Sequence, residues 1–206
     1  MEYKTLRQES EIEYIERRSR FIGRAFPVTT EEEALEHLKR LRSQHWDATH
    51  NVYAYVLRSG TARFSDDGEP QGTSGMPTLE VLTKSGITEA LIVTTRYFGG
   101  ILLGGGGLVR AYSKAAHDAV EAAGVVVMRL CKSCTAECAY GQYNGVVRTL
   151  TQKGAVIDDT VYGVGITIRF HITPDGLPAL TRALADATAG TVEPVMEGEA
   201  YLPFEL

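Results

Sequence analysis

The sequence predicts an α+β protein of two domains, on three observations. Hydrophobic residues make up 44% and charged residues 23% of the 206 positions, ordinary values for a globular chain with an adequate core. Strand-like apolar runs are interleaved with amphipathic helical patterns. The rhythm changes near Leu130, where a long helix pattern gives way to a β-α-β-β-α-β order, the ferredoxin-like arrangement. The expected division is residues 1–129 and residues 130–206.

The elements follow from local patterns. "EYIERRSRFIGRAFPV" alternates as one or two strands. Thr30 to Glu33 is a capping-box pattern, and Ala34, Leu35, Leu38 and Leu41 recur at helical spacing after it. "HNVYAYVL" is a strand, "RFSDDGEPQGTSG" is turn chemistry throughout, and "MPTLEVLTKSG" is a helix that tolerates Pro77 in its first turn. "EALIVTTRYF" is a buried strand. Leu108, Val109, Tyr112, Ala115, Ala116, Ala119, Val120 and Ala123 then form an apolar helical stripe that Gly124 terminates.

Past Leu130, "VVVMRLCKSCTAECAY" is strand-like and "GQYNGVVRTLTQKG" is a short helix. "AVIDDTVYGVGITIRFHI" gives two strands about Tyr162-Gly163. Thr173 with Pro174 predicts the next helix start, and "TVEPVMEGEAYLPF" closes as a strand.

Composition limits the function classes. Net charge is −5, and neither half is basic: 15 basic against 17 acidic residues up to position 128, then 6 against 9. That argues against bulk duplex binding and leaves room for a local patch. No apolar run reaches membrane-spanning length and the polar N-terminus has no signal core, so a cytoplasmic location is expected. Cys131, Cys134 and Cys138 lack a fourth ligand for a closed zinc site and read as core cysteines.

Two segments carry the candidate chemistry. "RYFGGILLGGGGLVRAY" places Gly99, Gly100, Gly104, Gly105, Gly106 and Gly107 between a strand and a helix, with Arg96 and Arg110 as its only charges. Bare backbone amides at a helix start bind anions, and the arginines add charge-assisted hydrogen bonds. The same glycines also suit a tight packing turn, and the sequence does not separate the two uses. Neither G-x-G-x-x-G nor the P-loop spacing is present. "SDDGEPQGTSGMP" collects Asp66, Asp67 and Glu69, which read either as turn chemistry or as carboxylates for Mg²⁺ beside a phosphate. His50 and Asn51 are further site candidates, with no partnered nucleophile in view.

Together these segments, with "HWDATHNVYAY" and "RSRFIG", closely resemble the IMPACT family over essentially the whole chain. The family pattern places a cysteine where this chain has Val52, and often alanine where it has Ser74. The resemblance implies an N-terminal domain like the second domain of ribosomal protein S-five, a fold shared with small-molecule kinases. It implies a ferredoxin-like C-terminal domain similar to one in elongation factor G, and a link to translational control. Eukaryotic members bind the activator of a stress kinase, a system that bacteria lack.

Three functions remain open on sequence grounds: a regulator that binds RNA, the ribosome or a translation factor; a Mg²⁺-dependent enzyme or nucleotide binder acting on a phosphorylated small molecule; and a protein-interaction module. In the last, the acidic loop and the glycine run form a docking surface or stabilise each other, and a glycine turn closed against the acidic loop would favour it. No cofactor beyond Mg²⁺ is implied, and the oligomeric state is not specified.

Overall fold

The computed structural model describes residues 2–205. The chain forms two compact units, one mainly residues 3–127 and the other mainly 128–203, and the division falls inside a long strand.

The first unit runs β1 (Tyr3–Leu6), β2 (Ser10–Glu16), β3 (Ser19–Pro27), α1 (Glu31–Gln44), β4 (His50–Val56), β5 (Ala62–Ser65), α2 (Gly75–Ser85), β6 (Ala90–Tyr97) and α3 (Gly105–Ala123). Its antiparallel sheet has the order β2-β3-β6-β4-β5, so β6 is central. Successive side chains of a strand point to opposite faces. Leu91 and Val93 therefore join Leu38 and Leu41 of α1 on one face. Ala90 and Ile92 join Leu82 of α2 and Ala116 and Ala119 of α3 on the other. Burial on both faces is why "ALIV" reads as a continuous apolar run. Each buried Leu or Ile contributes roughly 1.5–3 kcal/mol. The same alternation carries Thr95 to the α1 face and Arg96 to the α2–α3 face, which sets up the site.

Thr30 caps α1, its hydroxyl accepting from the Glu33 amide at 3.2 Å. The Glu33 carboxylate accepts from the Thr29 amide at 2.7 Å, one residue before the position a capping box uses. Thr30→Ala is expected to lower stability by about 1 kcal/mol in urea unfolding, with an unchanged m-value.

Four expectations are corrected. Leu35 and Val109 lie on exposed flanks of their helices, because the buried stripes are narrower than the apolar pattern. Residues 62–65 are a strand rather than turn: β5 is an edge strand with three exposed residues in four, so no apolar alternation marks it. Thr173 does not cap a helix. Thr173-Pro174-Asp175-Gly176 is a turn closed by the Gly176 amide on the Thr173 carbonyl at 3.0 Å. The helix begins after it, at Leu177 with Pro178 in its first turn. The short strand β1 had no signal in the sequence reading.

The second unit takes most of β7 (Val125–Cys138), then α4 (Tyr143–Gln152), β8 (Val156–Tyr162), β9 (Ile166–Ile172), α5 (Leu177–Thr188) and nearly all of β10 (Pro194–Phe204). Its strands lie in the order β10-β7-β9-β8. Val146, Leu150, Leu180 and Leu184 from the two helices pack on Cys134, Cys138, Ile168 and Phe170. All three cysteines are buried and free, and burial pushes their thiols up. Among the described residues no helix is long and apolar enough to cross a membrane.

Candidate functional site

The acidic loop is organised by its own carboxylates. Asp66 accepts from the amides of Gly72 at 2.9 Å, Ser74 at 3.1 Å and Gly75 at 2.8 Å, and from the Ser74 hydroxyl at 2.7 Å. Burial acts to raise the Asp66 pKa, but these bonds outweigh it and hold the carboxyl below its ordinary range. Asp66 thereby supplies the cap that the Ser74 side chain does not give to α2. Asp67, in a left-handed conformation at φ 46°, accepts from Arg42 at 2.8 Å and from the Asn51 amide at 2.6 Å.

Glu69 turns inward. It accepts from Arg96 Nη1 at 2.6 Å and from the Tyr112 hydroxyl at 2.7 Å, and all three side chains are buried. The Arg96 guanidinium also donates to Ser19 Oγ at 3.2 Å and lies 5.4 and 5.5 Å from the ring centres of Phe21 and Phe98. Its Nε is buried without a partner. Burial, then Glu69, pushes the Tyr112 hydroxyl far up, so it stays protonated as a donor.

Two sequence expectations change here. Arg96 is not a free anion ligand at the glycine run: its charge is matched by Glu69. Asp66, Asp67 and Glu69 do not converge as a Mg²⁺ site, since each carboxylate faces a different set of donors. Among the described residues, three donors of metal-binding type come within reach of one ion at His117, Asp118 and Glu121 on α3.

The glycines fall into two groups. A Cβ on Gly99 would sit 2.0 Å from the Arg18 carbonyl carbon, so this position needs close backbone contact. Gly100 and Gly104 have φ of 82° and 71°, which L-residues rarely adopt. A Cβ on Gly107 would press on Leu103 at 3.1 Å. Gly105 and Gly106 are different. They open α3 with right-handed backbone, and a Cβ would meet nothing closer than 3.8 and 3.6 Å. Packing therefore does not require glycine at these two positions, and the helix start is bare and exposed.

The two segments face each other across an open groove of about 390 Å³. His50, Glu69 and Arg96 line it together with Phe98, Leu102 and Gly105. An open groove is contrary to a glycine turn closed on the acidic loop. The His50 Nδ1 donates to the Asp67 carbonyl at 2.8 Å, leaving Nε2 3.7 Å from Glu69. Asn51, next along the strand, goes to the opposite face: its Oδ1 accepts from Thr95 Oγ1 at 2.9 Å, in a network with Arg24 and His45. His50 and Asn51 thus do not share a site. Val52 is fully buried beside Phe21 and Tyr112.

Sequence reasoning missed Tyr112, taken for an apolar stripe residue, and the aromatic and aliphatic walls. Phe98 and Leu102 are 45% and 82% exposed. Two large apolar side chains flanking a glycine run were the available signal.

A helix-layered sheet with a glycine-started helix at an open groove, followed by a β-α-β-β-α-β unit, defines a two-unit α+β protein. The chain belongs to the IMPACT family. Residues 17–120 match the Impact N-terminal domain, and residues 137–191 match a domain of unknown function, DUF1949. It is similar to the IMPACT family member YvyE of Bacillus subtilis, with 34% identity over 96% of this chain and 91% of that protein. It is similar to YigZ of Escherichia coli, with 33% identity over 86% of this chain and 89% of that protein. A solved structure described as a hypothetical protein overlaps 96% of this chain and 98% of its own, at 29% identity and TM-score 0.61.

Proposed function

We propose that this protein is a translation-linked regulator that acts by binding single-stranded RNA, free or on the ribosome, in the groove between the acidic loop and the start of α3. One observation carries the reading: Gly105 and Gly106 have room for side chains and lack them. Glycine at such positions destabilises a helix by roughly 0.5–1 kcal/mol each relative to alanine. It leaves the first-turn amides open to a phosphate. Phe98 and Leu102 offer apolar surface on which a base can stack, a contact worth about 1–3 kcal/mol for an aromatic side chain.

The family's link to translational control supports the reading. The family resemblance further implies units like the second domain of ribosomal protein S-five and a ferredoxin-like domain of elongation factor G, which would fit such a role. The overall negative charge fits a short strand held at a local site better than a duplex gripped along its length.

The test is fluorescence anisotropy with a labelled oligouridylate. The Gly105→Ala, Gly106→Ala double variant is expected to bind about tenfold more weakly, close to 1.4 kcal/mol. The same variant is expected to melt a few degrees higher, because alanine favours the helix. Parent-like RNA affinity in the alanine variant would overturn the reading.

A further inference from the structure

The β2–β3 turn beside α3 is built in an unexpected way. Glu16 pairs with Ser19, leaving a two-residue hairpin loop of Arg17 and Arg18. Both have positive φ, 45° and 68°. Such loops favour Asn-Gly, because a Cβ is disfavoured in that region. Two arginines are held there instead, with Gly99 packed directly against the Arg18 backbone. Disfavoured backbone held in place by its surroundings is grounds for a functional hypothesis.

Arg17 lines a pocket of about 250 Å³ with Arg110, Lys114, Tyr14 and Gly107. Lys114 is paired with Asp118 at 2.6 Å, and Arg17 Nε is 3.9 Å from Glu16, which itself accepts from the Tyr14 hydroxyl. Arg110 makes no hydrogen bond or ion pair among the described residues. Its Nη1 lies over Gly106, 3.6 Å from where a Cβ would stand. A guanidinium held this near the positive end of a helix is unfavourable by itself, and an anion bound against it in the pocket relieves that repulsion. Leu103 lines both this pocket and the groove, so a chain leaving the groove over Leu103 arrives here.

We propose that this pocket is a second phosphate site, held by Arg17, Arg110 and Lys114, which extends the groove. The inference rests on the RNA reading of the groove and narrows it: the ligand is a strand with consecutive phosphates, rather than a mononucleotide. The groove holds the nucleoside and its own phosphate at the α3 start, and the pocket holds the next phosphate along the chain. Arginine suits that role because its planar donors pair with phosphate oxygens two at a time.

The test compares a labelled oligouridylate, uridine monophosphate and inorganic pyrophosphate on the full chain. Arg110→Ala is expected to weaken oligouridylate about tenfold, to reduce the salt dependence of binding by close to one counterion, and to leave the monophosphate within twofold. Pyrophosphate is expected to raise the melting temperature of the parent but not of Arg110→Ala. The Arg17→Asn, Arg18→Gly variant is expected to melt higher than the parent and still lose oligouridylate affinity, which separates binding from folding. If oligouridylate binds the parent and Arg110→Ala alike, the pocket proposal falls and the groove reading stands. If neither RNA probe binds but pyrophosphate stabilises the protein through Arg110, the strand reading falls and an anion pocket alone remains. If Arg17→Asn, Arg18→Gly retains parent affinity, the turn has no part in binding and the site as proposed is wrong.

Discussion

Arg96→Ala is expected to lower stability by about 3–5 kcal/mol, among the largest effects of any single substitution in the first unit. This is the range for removing one partner of a buried ion pair. The loss has a specific origin. Glu69 would remain buried with the Tyr112 hydroxyl and no cation, while Ser19, Phe21 and Phe98 would lose the group they enclose. Glu69→Ala should cost a similar amount for the converse reason. A double variant, Arg96→Met with Glu69→Leu, should lose less than the two single losses added, because no uncompensated charge is left behind. Urea unfolding of the three variants measures this directly. A single-variant loss below about 1 kcal/mol would show that water reaches the pair and screens it as it does surface pairs.

That pair also shows how far the sequence could be read. The strand carrying Arg96, the helix after the glycines and the acidic loop were each legible, because periodicity and turn residues are local signals. The partnership of Arg96 with Glu69 is not local. It depends on β6 being central, on alternation turning Arg96 toward α3, and on the loop returning over the sheet. Composition gave one acidic and one basic segment, whereas the structure pairs a single residue of each, Glu69 with Arg96. The basic site it leaves open is built from Arg17 and Arg110, on elements that the sequence does not connect.

His50 and Asn51 fail as a pair for a simpler reason: adjacent strand residues face opposite ways, so only one reaches the groove. β5 was invisible because an exposed edge strand has no buried face to pattern its residues. The two glycines that packing leaves unexplained could be distinguished from the other four only by measuring the space around each.

Asp66→Ala is expected to cost about 3 kcal/mol. Ser74 and Gly75 are buried, and their amides donate to this one carboxylate at the start of α2. Each buried donor left unsatisfied costs about 1–3 kcal/mol. Asp66→Asn keeps an acceptor oxygen and should lose less. The depressed pKa gives this contribution a definite pH dependence. The folded state prefers the ionised carboxyl, so the stabilisation is fully present above the unfolded value of about 3.9. It is lost progressively as pH falls through that value and then through the lower folded one. The stability slope below about pH 4 should therefore flatten in Asp66→Asn, which has no proton to take up. The loop that Asp66 organises carries Gly68, Glu69 and Pro70 to the groove. At neutral pH, Asp66→Ala should then weaken oligouridylate binding even where most of the protein remains folded. A variant that unfolds earlier yet binds RNA with parent affinity would separate the acidic loop from the site, and would leave binding to the glycine start of α3 and its arginines alone.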